Sequence, residues 1–296
     1  PVFAEAVDGA GAEASARGRQ LLLACADYDP ARELDAVRML IDRSVDGMLL
    51  TVADAAASPA LDTARAAGVP TVLMFNDTTE SVAKAAPDNR AAGAAVAARL
   101  VQAGRRRVGF VAGRFATSDR SRRRFEGLAG ALAELGGPAP ALLEVDYGET
   151  DQRGALARLF DRAPQIDALV CSNDMLALSV IAGLRTLGRR CPEDVAVIGF
   201  DGLPLGAMVA PSLATVATQN RAMGREAARL LLDALDLNRT PAAETVWLPF
   251  EIREGGSLAP ARPDPAARAL HRASGQTLPE PASKTPAFAI GPETDP

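Results

Sequence analysis

Two polar residues stand at the ends of apolar runs in this 296-residue chain, and both are suited to reading hydroxyl groups. Asp201 follows Val-Ala-Val-Ile-Gly-Phe (residues 195–200), a short β-branched run that reads as a buried parallel strand. An acidic residue at the carboxyl end of such a strand sits where open α/β sheets bind ligands. Its carboxylate can accept two hydrogen bonds from adjacent hydroxyls, the pairing a sugar offers, each worth about 1.5–3 kcal/mol in a desolvated cleft. The competing role for Asp201 is the cap of a helix or turn. Asn173 follows the apolar run at residues 168–171, and its amide offers a donor and an acceptor together. Asp174 beside it reads first as the cap of the next helix and second as a ligand contact.

Several enzyme chemistries lack their residues. There is no Gly-x-x-x-x-Gly-Lys-Ser/Thr, no Gly-x-Gly-x-x-Gly after a strand and no Gly-x-Ser-x-Gly elbow. One histidine, His271, and three scattered cysteines leave neither a zinc site nor a histidine-based triad. Three thiols cannot form an even disulfide set, so Cys25, Cys171 and Cys191 read as small buried hydrophobes in a reducing compartment. The chain is therefore expected to bind rather than catalyse, with no cofactor and no metal.

Composition narrows the partners. A formal net charge of -5 argues against a general nucleic-acid binder, although arginines cluster at residues 105–107 and 120–124. No apolar stretch reaches the roughly 18–20 residues of a membrane span, and no leader peptide opens the sequence, which gives a cytoplasmic expectation. With 48% apolar residues but 4% aromatics, the core is aliphatic.

The elements that must position these residues alternate along the chain. Helical stretches are expected at 2–17, 31–44, 59–67, 90–103, 118–135, 150–162, 174–187 and 219–237. Strands are expected at 20–25, 47–50, 70–75, 108–113, 141–146, 166–171 and 195–200, with a β-rich segment at 244–253. Repeated strand–helix–strand units imply parallel sheets with helices on both faces. Surplus apolar residues at 37–44 and 221–235 suggest part of a dimer interface. From about residue 255 Pro, Ala, Gly, Ser and Thr take over, so 257–296 reads as a disordered tail.

Motifs in fixed order connect these elements to a family. They are Asp-Tyr-Asp-Pro (27–30), Val-Asp-Gly-Met-Leu-Leu (45–50), Gly-Val-Pro-Thr-Val-Leu (68–73) and Asp-Asn-Arg-Ala-Ala-Gly (88–93). Next come Arg-Arg-Val-Gly-Phe-Val-Ala-Gly (106–113), Arg-Arg-Arg-Phe-Glu-Gly (122–127), Cys-Ser-Asn-Asp-Met-Leu-Ala-Leu (171–178) and Val-Ile-Gly-Phe-Asp-Gly (197–202). In this order and spacing they resemble the effector-binding region of LacI/GalR-family transcription regulators, over residues 1–254.

That resemblance implies an α/β, two-lobe, periplasmic-binding-protein-like (type I) fold with effector held between the lobes. The first lobe would take residues 1–104 plus 219–246, and the second 105–218 plus 247–256. A DNA-binding headpiece, a hinge helix and the first strand of the first lobe would come before Pro1. The implied partners are a small sugar or sugar derivative, a second copy of the chain, and operator DNA through the headpiece.

Arg124 falls where the family's cleft arginine lies, three residues before Gly127; its planar fork suits vicinal hydroxyls or a carboxylate. Ser118 and Arg120 are second contacts, and several guanidiniums in the cleft would favour an anionic effector. Phe3 and Phe75, at the edge of the first lobe, either stack on a sugar ring or pack in the core. Gln219, at a lobe crossing, either touches the effector or does not. Asp27 reads as a turn cap. A transport-associated periplasmic solute-binding protein shares the fold and is the main rival; Arg-Arg-Arg-Phe-Glu-Gly, Val-Ile-Gly-Phe-Asp-Gly and Gln-Asn-Arg-Ala-Met-Gly (219–224) resemble the regulators and discriminate in part.

Overall fold

Alternating strands and helices build two separate sheets in the computed structural model, which describes residues 2–149 and 151–259. The first half of the chain runs α1 (Val2–Ala16), α2 (Pro30–Asp42), β1 (Met48–Leu50), α3 (Pro59–Ala66), β2 (Thr71–Met74), β3 (Lys84–Pro87) and α4 (Asn89–Gln102). It continues with β4 (Val108–Gly113), α5 (Asp119–Glu134), β5 (Ala141–Val145), α6 (Arg153–Arg162), β6 (Ala168–Cys171), α7 (Asp174–Thr186) and β7 (Ala196–Asp201). The last elements are β8 (Ala214–Thr218), α8 (Asn220–Asp236), β9 (Thr245–Leu248) and β10 (Phe250–Arg253).

Local chemistry starts the helices at the expected turns. Asp29 accepts from Ala31 N at 2.9 Å with Pro30 opening α2, Ser58 accepts from Leu61 N at 3.1 Å, and Asp88 accepts from Ala91 N at 2.8 Å. Each satisfies an N–H that the first helical turn leaves without a partner.

The first sheet has the order β1-β2-β3-β9, all parallel. The second has the order β10-β8-β7-β6-β4-β5, parallel except where β10 runs against β8. Helices cover both faces of each. Met223, Ala227 and Leu230 of α8 pack with Ala6 of α1 on Val72, Met74 and Ala85, while Val37, Leu61 and Ala64 close the opposite side over Met48 and Leu73. In the second sheet, α4 and α5 bury Val96, Leu100, Leu128 and Leu132 against Phe110 and Ile198; α6 and α7 bury Leu156, Leu159, Val180 and Leu184 against Leu169 and Val197. Paired glycines let the covering helices touch backbone to backbone. A Cβ at Gly9 or Gly224 would collide with the carbonyls of Arg221 or Ala6, and one at Gly93 or Gly127 with those of Arg124 or Arg90.

The structure departs from the sequence reading in specific places. Residues 20–25, expected as a buried strand, are extended but pair with no strand, and Leu21, Leu22 and Leu23 are 45%, 52% and 65% exposed. An apolar run becomes a strand only beside another backbone edge. Here the run and Leu49, Leu50 and Thr51 line a cavity of about 310 Å³. Helix α4, grouped by the sequence with the first lobe up to residue 104, packs instead in the core of the second sheet, so the chain changes sheet between β3 and α4. Strand β3 itself was not foreseen, because Lys-Ala-Ala-Pro carries no β-branched residue.

The segment at 244–253 divides into β9 in the first sheet and β10 in the second. Ser257, expected at the start of the tail, is fully buried: its hydroxyl donates to Val197 O at 2.6 Å and accepts from Ala214 N at 2.8 Å, and Leu258 joins the second-sheet core. The rest of the expected tail, 260–296, lies outside the described residues. The apolar surplus at 37–44 and 221–235 is largely consumed within the lobe: Val37, Met223, Leu230, Leu231 and Leu232 are buried between α1, α2, α8 and the first sheet. No helix among the described residues is long and apolar enough to cross a membrane.

Candidate functional site

The carboxyl ends of β6 and β7 and the start of α5 meet around one buried guanidinium. Arg124 donates from Nε to Asn89 Oδ1 at 2.8 Å and from Nη1 to Ser172 O at 2.6 Å, and its guanidinium carbon lies 3.4 Å from the centroid of the Phe200 ring. These contacts fix the plane of the fork. Beside it, Asp201 ends β7 half-buried, and its carboxylate accepts no hydrogen bond from any described residue.

The first lobe supplies an aromatic wall. Phe3 packs against Phe75 with ring centroids 4.9 Å apart and against Tyr28 at 6.2 Å. Tyr28 in turn meets Tyr147, from the end of β5, at 5.2 Å. The Tyr147 hydroxyl is 2.8 Å from Ser172 Oγ and 3.1 Å from Ser121 Oγ, so its ring is anchored in the second lobe.

Backbone strain gathers at the same place. Tyr28, Phe75 and Asp201 have φ of 61°, 66° and 119°. Left-handed backbone is costly for a bulky side chain and persists where the surroundings over-determine it, which happens most often at binding and catalytic sites.

The electrostatics reflect partial desolvation. Burial pushes Asp201 up to about 7, against the opposing pull of Arg124, and the Asp174 charge raises it further. Burial likewise lowers Arg124 to about 10, with Asp201 holding it up. Tyr28 is raised chiefly by burial, and Arg120, Tyr147, Asp201 and Arg124 all act on it. Asp201, Arg124, Arg120, Tyr28 and Tyr147 thus share one electrostatic environment, with contributions from both lobes.

A second set of contacts ties the lobes together next to this site. Asp119 N donates to Ala53 O at 2.8 Å, Asn76 Nδ2 donates to Asp119 Oδ2 at 2.8 Å, and Arg122 pairs with Asp54 at 2.9 Å. Arg120 donates to Val52 O at 3.2 Å and lies 3.8 Å from Asp119. The amino-terminal turn of α5 therefore sits on the loop after β1 while the next turn carries Arg124.

Each residue singled out in the sequence now has a place. Asp201, Arg124, Arg120, Phe75 and Phe3 are brought together. Ser118 is buried as the cap of α5, its Oγ 3.0 Å from Ser121 Oγ, one step from the Tyr147 hydroxyl. Asn173 rather than Asp174 caps α7, its Oδ1 accepting from Leu176 N at 2.7 Å, and Asp174 is fully buried beneath Asp201. Gln219 is exposed at the start of α8 and joins none of these contacts. Asp27 pairs with Arg32 rather than capping. Tyr28 and Tyr147 were missed, although they are the only two tyrosines of the sequence and each follows an aspartate in a turn-forming context. Among the described residues no group of acidic, histidine or cysteine side chains is placed to hold a metal ion.

Comparison with known proteins agrees with this architecture. A family model described as a periplasmic binding protein-like domain matches residues 97–258. The transcriptional regulator CelR of Thermobifida fusca is 32% identical over 272 residues, covering 86% of this chain and 76% of that protein. A solved CelR–cellobiose complex superposes with a TM-score of 0.75 at 29% identity, covering 87% of this chain and 79% of that one. A LacI-family regulator from Silicibacter pomeroyi superposes with a TM-score of 0.73 at 25% identity, covering 87% and 78%. With the two-sheet fold, the motif order and a regulator matched over most of both lengths, the chain belongs to the LacI family of transcriptional regulators and carries that family's effector-binding region.

Proposed function

We propose that this region senses a small neutral sugar held between Asp201 and Arg124 on one side and Phe3, Tyr28, Phe75 and Tyr147 on the other. The observation that carries the reading is a carboxylate with no hydrogen-bond donor beside a fixed guanidinium, facing aromatic rings on strained backbone. A sugar matches both walls: its hydroxyls pair with the acceptor and the donor, and its C–H face lies on rings. The second guanidinium, Arg120, is engaged by Val52 O and neighbours Asp119, which leaves no surplus of free positive charge to select an anion. The sugar bound by the related CelR, cellobiose, is the first candidate to test.

Mechanism follows from the two-lobe geometry. Effector that contacts both walls binds the closed arrangement more tightly than an open one, and that differential affinity shifts the lobe equilibrium. In a dimer carrying paired DNA-binding headpieces, the shift would change the distance between them and so the match to half-site spacing. Cytoplasmic action belongs to the same reading.

The test is a thermal-shift panel of cellobiose, maltose, glucose, gluconate and a sugar phosphate. A ligand present at 100 times its Kd adds about 2.7 kcal/mol of stability. A shift with a neutral sugar supports the proposal. Shifts confined to gluconate or the phosphate, or none with any sugar, would contradict it.

A further inference from the structure

Asp174 spends both carboxylate oxygens on the turn that carries Asp201. Its Oδ2 accepts from Leu203 N at 2.7 Å, and its Oδ1 accepts from Thr215 Oγ1 at 2.6 Å. The Thr215 hydroxyl in turn accepts from Gly202 N at 3.3 Å. Both consecutive backbone amides after Asp201 are therefore bonded, directly or through one hydroxyl, to this single carboxylate.

The turn needs holding. Asp201 and Gly202 lie at φ of 119° and 80°, and a non-glycine residue at such a φ costs of order 1–3 kcal/mol. Space for the brace is built into β7: a Cβ on Gly199 would collide with Asp174 Oδ1. The spacing of glycine and aspartate in Val-Ile-Gly-Phe-Asp-Gly thus has a packing cause. Asp174 is also the first residue of α7, where the positive end of the helix dipole favours a carboxylate. It is fully buried and cannot touch an effector itself.

We propose that Asp174 is the positioning residue of the effector site: with Thr215 it holds the Asp201–Leu203 turn in its left-handed conformation and so sets the Asp201 carboxylate beside Arg124. The inference rests on the reading of the cleft as the effector site. A second consequence follows from charge. Asp174 lies close enough for its charge to raise Asp201. The other charged or titratable groups acting with Asp201 are Arg124 and Arg120 from α5, the amino terminus of the chain, and Tyr28 from the first lobe. Only Asp174 adds a like charge from beneath, so its removal lowers the pH at which Asp201 ionises.

The test has arms with and without ligand. In ligand-free protein, carboxyl NMR follows the Asp201 titration and hydrogen exchange follows the Gly202 and Leu203 amides. Asp174→Asn should move the Asp201 midpoint down by about half a unit or more and speed exchange at Leu203. Thr215→Val should speed exchange at Gly202 without lowering the midpoint, and Thr215→Ser, which keeps the hydroxyl, should restore it. With cellobiose as probe, Asp174→Asn and Thr215→Val should each raise Kd about tenfold at pH 8, with Thr215→Ser close to the unaltered protein. A purely architectural role would lower Tm but leave the Asp201 midpoint in place. Should Asp174→Asn not fold, the two Thr215 variants decide the matter. Unchanged exchange and unchanged Asp201 titration overturn the inference. Retained cellobiose binding in Asp201→Ala would instead overturn the reading of the cleft.

Discussion

Tyr28 and Tyr147 meet across the cleft with ring centroids 5.2 Å apart, one carried by the first lobe and the other bonded through its hydroxyl to Ser121 and Ser172 of the second. They are the only tyrosines in the sequence, so both can be probed without background. Because the contact joins the lobes, it reports closure and lines the proposed sugar site at once. Tyr147→Ala and Tyr28→Ala each remove one ring of the pair. A double-mutant cycle on sugar affinity should give a coupling of about 0.5–1.5 kcal/mol. Additive effects would mean that the rings do not act together in the bound state.

Ligand-free stability should fall as pH rises through the range in which the cleft carboxylates ionise. Asp201 and Asp174 are raised to about 7 and about 6, above the usual carboxylate range. A carboxyl raised in the folded state stabilises fully below its unfolded pKa, and that contribution is lost as pH climbs through the folded value. Asp201→Asn should exceed the unaltered protein in Tm by clearly more near pH 8 than near pH 5, while binding sugar poorly at both. An equal Tm difference at both pH values would show that ionisation of Asp201 carries no cost.

The interlobe bridge predicts a separation of affinity from core stability. Arg122 pairs with Asp54 at 2.9 Å and is partly exposed, so the pair is worth about 0.2–1 kcal/mol. Arg122→Ala and Asp54→Ala should each weaken sugar binding by a few-fold, with little further loss in the double variant, and leave the urea midpoint nearly unchanged. Independent, additive losses would place Arg122 and Asp54 outside a shared bridge.

The α4–α5 crossing gives a stability prediction. Gly93→Ala sets a methyl against the Arg124 carbonyl. Overpacking of this kind costs about 1–3 kcal/mol, and here it also displaces the helix that carries Arg124. Both Tm and sugar affinity should drop; a drop in Tm alone would mean that α5 yields elsewhere.

Much of this was legible in the sequence because local chemistry marked it. Asp29, Ser58 and Asp88 cap their helices at turns that Pro30, Pro59 and Pro87 had flagged, and the β-branched run before Asp201 became β7. What was not legible depends on neighbours remote in sequence. Residues 20–25 have strand composition but no paired edge. Lys84–Pro87 has little strand propensity, yet it is held between β2 and β9. Asn173 and Asp174 are equally good caps by type; Leu203 N and Thr215, far along the chain, decide which of them is buried. The pairing of Tyr28 with Tyr147 leaves no pattern in sequence at all.

A structure of the chain solved with the sugar that raises its Tm tests the central claim most directly. The account predicts sugar hydroxyls within hydrogen-bond distance of the Asp201 carboxylate and the Arg124 guanidinium, with a ring face on Phe3, Tyr28, Phe75 or Tyr147. A sugar bound elsewhere, with Asp201 and Arg124 untouched, would contradict it.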